Sequence, residues 1–404
     1  MTTSPGGRGP LSDIVVVDFT RVLAGPTATM ILGDLGATIL KIEDPETGDS
    51  TRTNMPFVKS ESHYFLSINR NKRSVCLNLK GPVGKQAAID LAASADVVIE
   101  NFRPGVMDRL GLSYPELAAI NKRLIYCSIS GFGQSGPLRE KASYDIVTQA
   151  MTGVMSVNGP ADGPPTKLGL PMGDISGGLM AVIAILTALE ERSRTGDGRF
   201  IDISLQDSLM YLLGYFSGLY FTTGESAGRF GSSHHNIVPY GAFPARDGHV
   251  VIAAFNQGFW AKLCAALDAP ELISDPRFAT YADRYANRDA CDEAISSRTS
   301  LFKVRELCAL LDTSDVPNAP VLSVGEALEH PQAEARNMVV EVSHPTVGPL
   351  RVLGHPFKFS GFASSGVFEP PPLLGEDTVS VLESHLGYGT DLIARVIDEN
   401  KEYE

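Results

Sequence analysis

An aspartate set among glycines just ahead of an apolar run is the feature of this chain best suited to chemistry. The segment reads Gly169-Leu170-Pro171-Met172-Gly173-Asp174-Ile175-Ser176-Gly177-Gly178, and the apolar run covers 179–189. That run is long enough for a buried helix and too short to cross a bilayer. Asp174 is therefore expected at or just before a helix start, where two roles fit. As an N-cap, its carboxylate accepts hydrogen bonds from the free amides of the first turn. As a nucleophile, it sits where flanking glycines remove side chains that would block a bulky acyl group, while helix-end amides stabilise its charge. A helix terminus contributes only roughly 0.3–1 kcal/mol. An Asp near its reference pKa of about 3.9 is expected to be ionised at pH 7 and able to attack without a general base.

The elements that must position this residue follow from alternation along the chain. Short runs rich in Val and Ile predict strands over 14–19, 38–42, 74–79, 96–102, 124–130 and 200–205, with helices over 26–35, 83–95 and 114–121 between them. The pattern predicts an α/β fold with a doubly wound, mostly parallel sheet, a Rossmann-like large domain. Such sheets bind ligands in loops beyond the strand C-termini, here 20–25, 80–82, 101–109 and 131–143. Lys72, Arg73, Lys80, Arg103, Arg109 and Lys141 lie in or near those loops. Several of them converging on one edge would hold phosphates.

A further helix over 206–221 closes the large domain, 1–221. A linker of small residues, 222–229, leads to a smaller α+β domain over 230–319, with a strand over 249–255 and helices over 258–267 and 288–311. Residues 320–404 are expected to return and complete the large domain. With 404 residues, 43% hydrophobic and 20% charged, the chain reads as globular and as more than one small domain.

The net charge of -13 argues against nucleic-acid and anionic-membrane partners, so an anionic ligand must find a local basic pocket. Five widely spaced cysteines with no CxxC pair fit a reducing cytoplasm. Residues 1–10 read as a disordered lead-in without the apolar core of a secretory signal, and no segment is expected to reach membrane-spanning length. His234-His235 lacks metal-ligand spacing, and HExxH and GxSxG are absent, so neither a metal site nor a hydrolase triad is expected. Gly131-Phe132-Gly133-Gln134-Ser135-Gly136 matches GxGxxG after a strand. Pro137 and a charged stretch follow it instead of an apolar helix, which disfavours a nicotinamide site.

Together these residues resemble the class III CoA-transferase family, which includes formyl-CoA transferase, carnitine CoA-transferases and α-methylacyl-CoA racemase. The resemblance runs over nearly the whole chain. It is carried by Asp18-Phe19-Thr20-Arg21-Val22-Leu23-Ala24-Gly25-Pro26, Gly33-Asp34-Leu35-Gly36-Ala37, Asn69-Arg70-Asn71-Lys72-Arg73-Ser74, Glu100-Asn101-Phe102-Arg103-Pro104-Gly105, the Gly131 loop and Gly173-Asp174.

The resemblance implies that Asp174 attacks an acyl-CoA thioester, forms an aspartyl anhydride and later carries CoA as an enzyme thioester. It implies CoA contacts at Val22, Ala24, Leu77, Lys80, Asn101, Phe102, Arg109 and Lys141, with Tyr144 near the thioester. It also implies a homodimer whose chains interlock. CoA enters as substrate, and no permanently bound cofactor is implied. Ser143-Tyr144-Asp145 lacks the His of racemase members, which favours transfer over racemisation. Leu23 stands where formyl-CoA transferases have Gln, and a run of glycines near His234-His235-Asn236 is missing, which argues against an oxalate specialist. Asp44 replaces an Arg that touches CoA in those enzymes.

The nearest likeness is to the branch using succinyl-CoA and dicarboxylates such as glutarate and hydroxymethylglutarate, through Arg21 to Pro26, Thr51-Arg52-Thr53 with Pro56-Phe57-Val58, and Ile237-Val238-Pro239-Tyr240. A dicarboxylate needs a cation for its far end, and Arg21, Arg52 and His235 are the candidates. Two alternatives stand beside transfer: a racemase or epimerase, and a noncatalytic CoA-binding subunit of a heteromer. The carboxylate of Asp174 argues against the second.

Overall fold

The computed structural model describes residues 9–360 and 368–402, so most of the lead-in expected over 1–10 lies outside the described residues. The chain divides into two compact units. The first comprises Met1–Thr152, Gly169–Leu213 and Pro331–Glu404, and the second Gly153–Leu168 and Gly214–His330.

Alternating burial builds the first unit. Its strands are β1 (Val15–Asp18), β2 (Thr38–Glu43), β3 (Lys72–Cys76), β4 (Val97–Glu100), β5 (Ile125–Ser130) and β6 (Arg199–Ser204). They pair in the order β3-β2-β1-β4-β5-β6, every pair parallel. Val17, Leu40, Val75 and Val98 enter one core, and Val16, Ile39, Val97 and Ile99 enter the other. Both faces are apolar because helices cover both. The helices of this unit include α1 (Ala24–Asp34), α2 (His63–Ile68), α3 (Pro82–Ser94), α4 (Val106–Leu110), α5 (Tyr114–Ile120), α6 (Asp145–Met151), α7 (Met172–Thr195) and α8 (Leu205–Tyr211). The strand order reverses between β1 and β4, which opens a crevice beyond their C-terminal ends.

Helix α7 departs from its expected start. It runs for 24 residues from Met172, with Pro171 as N-cap, and so takes in Gly173, Gly177 and Gly178. Glycine is a poor helix former, and packing explains its presence. A Cβ on Gly173 would lie 2.6 Å from Thr148 Oγ1, on Gly177 2.3 Å from Leu205 Cδ2, and on Gly178 2.6 Å from the Ala24 carbonyl oxygen. The glycines expected to clear space for an acyl group instead let α7 close on α6, α8 and α1. The expectation about membrane-spanning length is also corrected, since α7 is long and apolar enough by length and composition. Ala181, Val182, Ile185 and Ala188 are nevertheless buried against the sheet, the packing of a core helix.

The single helix expected over 206–221 is broken at Gly214, whose φ of 51° ends α8's segment and starts α9 (Tyr215–Thr223). In the second unit β7 (Tyr240–Ala245), β8 (Gly248–Ala253) and β9 (Asn318–Pro320) form an antiparallel sheet. With α10 (Gln257–Ala266), α11 (Arg288–Thr299) and α12 (Val304–Thr313), it encloses Val250, Ile252, Trp260 and Leu307. The helix expected over 288–311 is therefore two.

Residues 153–168, expected in the large domain, group with the second unit. Gly231 N–H donates to Gly159 O at 3.0 Å, and Arg229 Nε to Pro160 O at 3.2 Å. In the return segment β10 (Val339–His344) and β11 (Gly348–Leu353) pair with each other. Val381 and Leu382 of α13 (Thr378–Leu386) and Val396 of α14 (Thr390–Lys401) join the core beside Leu91 of α3.

Candidate active site

Asp174 is the third residue of α7, and it does not cap its helix. Asp145, the first residue of α6, takes that role. Its Oδ1 accepts from Gly173 N–H at 2.7 Å and Asp174 N–H at 3.4 Å, and Gln149 Nε2 donates to Oδ2 at 2.6 Å. The helix end is satisfied from outside, and among the described residues none donates a hydrogen bond to the Asp174 carboxylate.

Burial, and after it the charge of Asp145, push the Asp174 carboxyl up to about 7. This corrects the expectation of a carboxylate fully ionised at neutrality. The helix-end amides that would have stabilised its charge are bonded to a second carboxylate instead. A basic, unpartnered carboxylate is a competent nucleophile once ionised. Tyr64 of α2 lies in the same field: burial first, then the carboxylates of Asp174, Asp49 and Asp145, raise its phenol above the ordinary tyrosine range.

The cleft at the strand reversal is lined from three of the four expected loops, 20–25, 80–82 and 101–109, and by no residue of 131–143. Arg21, Leu77, Lys80 and Phe102, with Asp44 and Val106, line a cleft of about 330 Å³. The Arg21 guanidinium lies 5.3 Å from the Phe102 ring centroid. Asn101 holds Arg21 at both backbone groups, accepting from its N–H at 2.8 Å and donating to its C=O at 2.7 Å. Glu100 accepts from Phe102 N–H at 2.8 Å and bonds Ser128 Oγ, and burial pushes its carboxyl up to about 7. Asp44 turns back on its own loop, accepting from Thr47 N–H at 2.9 Å. Helix α7 meets the crevice where Gly178 packs on Ala24. Asp174 lies one helical turn before that contact, on the same face.

The remaining expected residues divide. Val22 sits in the crevice loop with φ at 69°, and Ala24 is buried as the first residue of α1. Arg109 is exposed on α4, and Tyr144 is exposed just before α6. Lys141 is exposed, with Nζ 5.7 Å from the Phe132 ring centroid.

Arg52 is committed elsewhere. It makes a bidentate pair with Glu43 at 2.8 and 2.7 Å, donates to Pro372 O and stacks 3.6 Å from the Phe65 ring centroid. His235 lies in the second unit, its ring stacked on Tyr215 at 4.9 Å, and burial lowers its basicity. Lys72 and Arg73, expected at the ligand edge, stand at the opposite end of β3. Lys72 Nζ donates to Asn69 Oδ1 and Pro26 O and lies 3.5 Å from Asp18, and burial pushes it down to about 7. Arg73 pairs with Asp377 at 3.0 Å. The Gly131 loop is a turn, with Gly133 and Gly136 at positive φ and no helix directly after it. Among the described residues no cluster of three or more His, Cys, Asp or Glu is arranged to hold a metal.

Sequence reasoning missed Asp145 and Tyr64. The first carried a weak signal, an acidic residue opening a short helix after Tyr144. The second carried none, since its role depends on the fold bringing α2 near α7.

The sequence and fold have close counterparts. A family model described as CoA-transferase family III matches residues 11–378. A Mus musculus protein named succinyl-CoA:glutarate CoA-transferase is 41% identical over 389 residues, covering 96% of this chain and 89% of that one. An Acetobacter aceti protein named acetyl-CoA:oxalate CoA-transferase is 42% identical over 362 residues, covering 89% and 92% respectively. The crystal structure of a CAIB/BAIF family protein from Brucella suis superposes with a TM-score of 0.84 at 40% identity, over 93% of this chain and 99% of that one.

Proposed function

The chain belongs to CoA-transferase family III and is an enzyme of that class, and on that premise we propose that it moves CoA from succinyl-CoA to a second dicarboxylic acid, with Asp174 as nucleophile. One observation carries this reading: a carboxyl raised to about 7, with no hydrogen-bond donor among the described residues, one turn from the crevice loop. Ionised Asp174 attacks the thioester carbonyl, the C–S bond breaks, and CoA thiolate leaves behind an aspartyl–succinyl anhydride. The thiolate then attacks the aspartyl carbonyl, releasing succinate and leaving CoA on Asp174 as a thioester. An acceptor carboxylate repeats the sequence in reverse. Each step exchanges one acyl bond for another, so no net proton or electron is needed.

The cleft of Arg21, Leu77, Lys80 and Phe102 is the proposed CoA site, with Val22, Ala24, Asn101, Arg109, Lys141 and Tyr144 as further contacts. Holding the distant nucleotide there orients the thioester at Asp174. For the acceptor's far carboxylate we retain Arg21 and drop Arg52, whose guanidinium is already paired. Succinyl-CoA and a dicarboxylate are favoured by the name of the mouse relative.

We further propose a homodimer with interlocked chains. Leu179 and Ile183 on the outer side of α7 are exposed, and α9 buries none of its residues although it carries Tyr215, Tyr220 and Phe221. Such apolar surface calls for a partner. The five cysteines are unpaired, which suits a reducing cytoplasm.

The test is a panel of acids incubated with succinyl-CoA and scored by mass spectrometry for new CoA esters, with Asp174→Ala as control. Glutarate or hydroxymethylglutarate should be converted fastest and the control should be inert. Faster conversion of oxalate or a monocarboxylate would overturn the acceptor assignment. Full transfer by Asp174→Ala would overturn the nucleophile.

A further inference from the structure

Five consecutive backbone groups in the crevice loop are each held by a side chain. Thr20 N–H donates to Asp18 Oδ1 at 2.8 Å, and Thr20 C=O accepts from Lys41 Nζ at 2.8 Å. Both backbone groups of Arg21 bond Asn101. Val22 N–H donates to Asp49 Oδ1 at 3.2 Å. The last of these holds the residue least suited to its conformation, because Val22 has φ 69° and a β-branched side chain. A glycine would adopt this backbone freely. The chain keeps a branched side chain there, partly exposed in the crevice loop.

We propose that Asp49 is a positioning residue. By accepting the Val22 amide, it holds the loop in a left-handed turn that shapes the CoA cleft. Asp49 can do this because it is itself fixed. It is fully buried, its Oδ2 pairs with Lys41 Nζ at 3.0 Å, and its Oδ1 also accepts from Thr51 N–H and Oγ1 at 2.9 Å. Lys41 in turn reaches Thr20 C=O, so one buried ion pair grips the loop on both sides of Arg21. Loss of the Asp49 acceptor frees Val22 to relax to negative φ, which rotates the Arg21–Val22 peptide and displaces the cleft wall. CoA then binds only after the loop is reordered, and the cost falls on affinity.

The inference rests on the CoA site proposed above, and its test is a double-mutant cycle between D49A and V22G. KM for the acyl-CoA and kcat are measured for each variant, together with the Kd for CoA by calorimetry. D49A, which removes the acceptor oxygen, should raise KM and Kd about tenfold in the Val22 background, with kcat changed by less than about threefold. The same substitution added to V22G should raise them no more than about twofold, because glycine meets no steric penalty at positive φ and has no strain to release when the acceptor is lost. Since D49A leaves Lys41 charged in the core, the pair is also replaced by the apolar K41M/D49L, with and without V22G. A fold-increase in KM that is the same in both backgrounds would overturn the inference, as would a loss confined to kcat. Failure of the unaltered enzyme to bind CoA would overturn the proposed function instead.

Discussion

Asp145 accepts the amide of Gly173 at 2.7 Å, and so caps the helix whose third residue, Asp174, has no hydrogen-bond donor among the described residues. The negative charge that closes the helix end also raises its neighbour's pKa. Asp145→Asn should keep an oxygen for the Gly173 amide while removing that charge, which favours ionised Asp174. The acid limb of the kcat/KM profile should therefore move to lower pH by roughly one unit. Asp145→Ala should also lose the cap, at about 1 kcal/mol of stability. A pH–rate series on the two variants separates the effects.

Asp174 should cost the fold stability as pH rises. Its carboxyl is raised from 3.8 to about 7, so between those values the folded chain holds a proton that the unfolded chain has released. Stability from this group is thus lost through that window and stays lost above it. Asp174→Asn should be more stable than the unaltered protein at pH 8.5, by about 1–2 kcal/mol after allowance for partial exposure, and nearly equal to it below pH 4. Denaturant titrations at the two pH values test this.

Gly178 should tolerate no side chain. A Cβ there would stand 2.6 Å from the Ala24 carbonyl oxygen, whereas one on Gly169 would meet nothing within 4 Å. Gly178→Ala should cost about 1–3 kcal/mol and lower transfer by forcing α7 away from α1. Gly169→Ala should change stability by less than about 0.5 kcal/mol. Thermal melts and transfer rates on both variants make the comparison.

Arg52 should act on stability and not on acceptor choice. Removing its guanidinium leaves Glu43 buried without its bidentate partner, a loss of about 3–5 kcal/mol. Arg52→Lys should recover little, because an ammonium cannot reproduce the fork. The ratio of kcat/KM values between glutarate and a monocarboxylate should stay as it was, and a collapse of that ratio would restore Arg52 to the acceptor site.

The parallel sheet was legible because both of its faces are buried, so Val and Ile crowd into short runs such as Val15–Asp18 and Val97–Glu100. The convergence of the strand-end loops was legible for the same reason, as Arg21, Leu77, Lys80 and Phe102 line one cleft. The start of α7 was not, since Gly173, Gly177 and Gly178 weaken a helix locally and are explained only by the neighbours they admit. Charge was the least legible property. Lys72, Arg73 and Arg52 read as available cations, yet Asp18, Asp377 and Glu43 lie beside them only once the chain is folded. The pKa of Asp174 was misread likewise, because Asp145 is distant in sequence and adjacent in space.

The central claim is that Asp174 carries the transferred group covalently, and trapping tests it most directly. The enzyme is mixed with succinyl-CoA during verified turnover, quenched with hydroxylamine or borohydride, and digested for peptide mass spectrometry. Modification should appear on the peptide containing Asp174 and nowhere else, and should vanish when succinyl-CoA is omitted. An unmodified Asp174 peptide from an enzyme turning over at full rate would contradict the account.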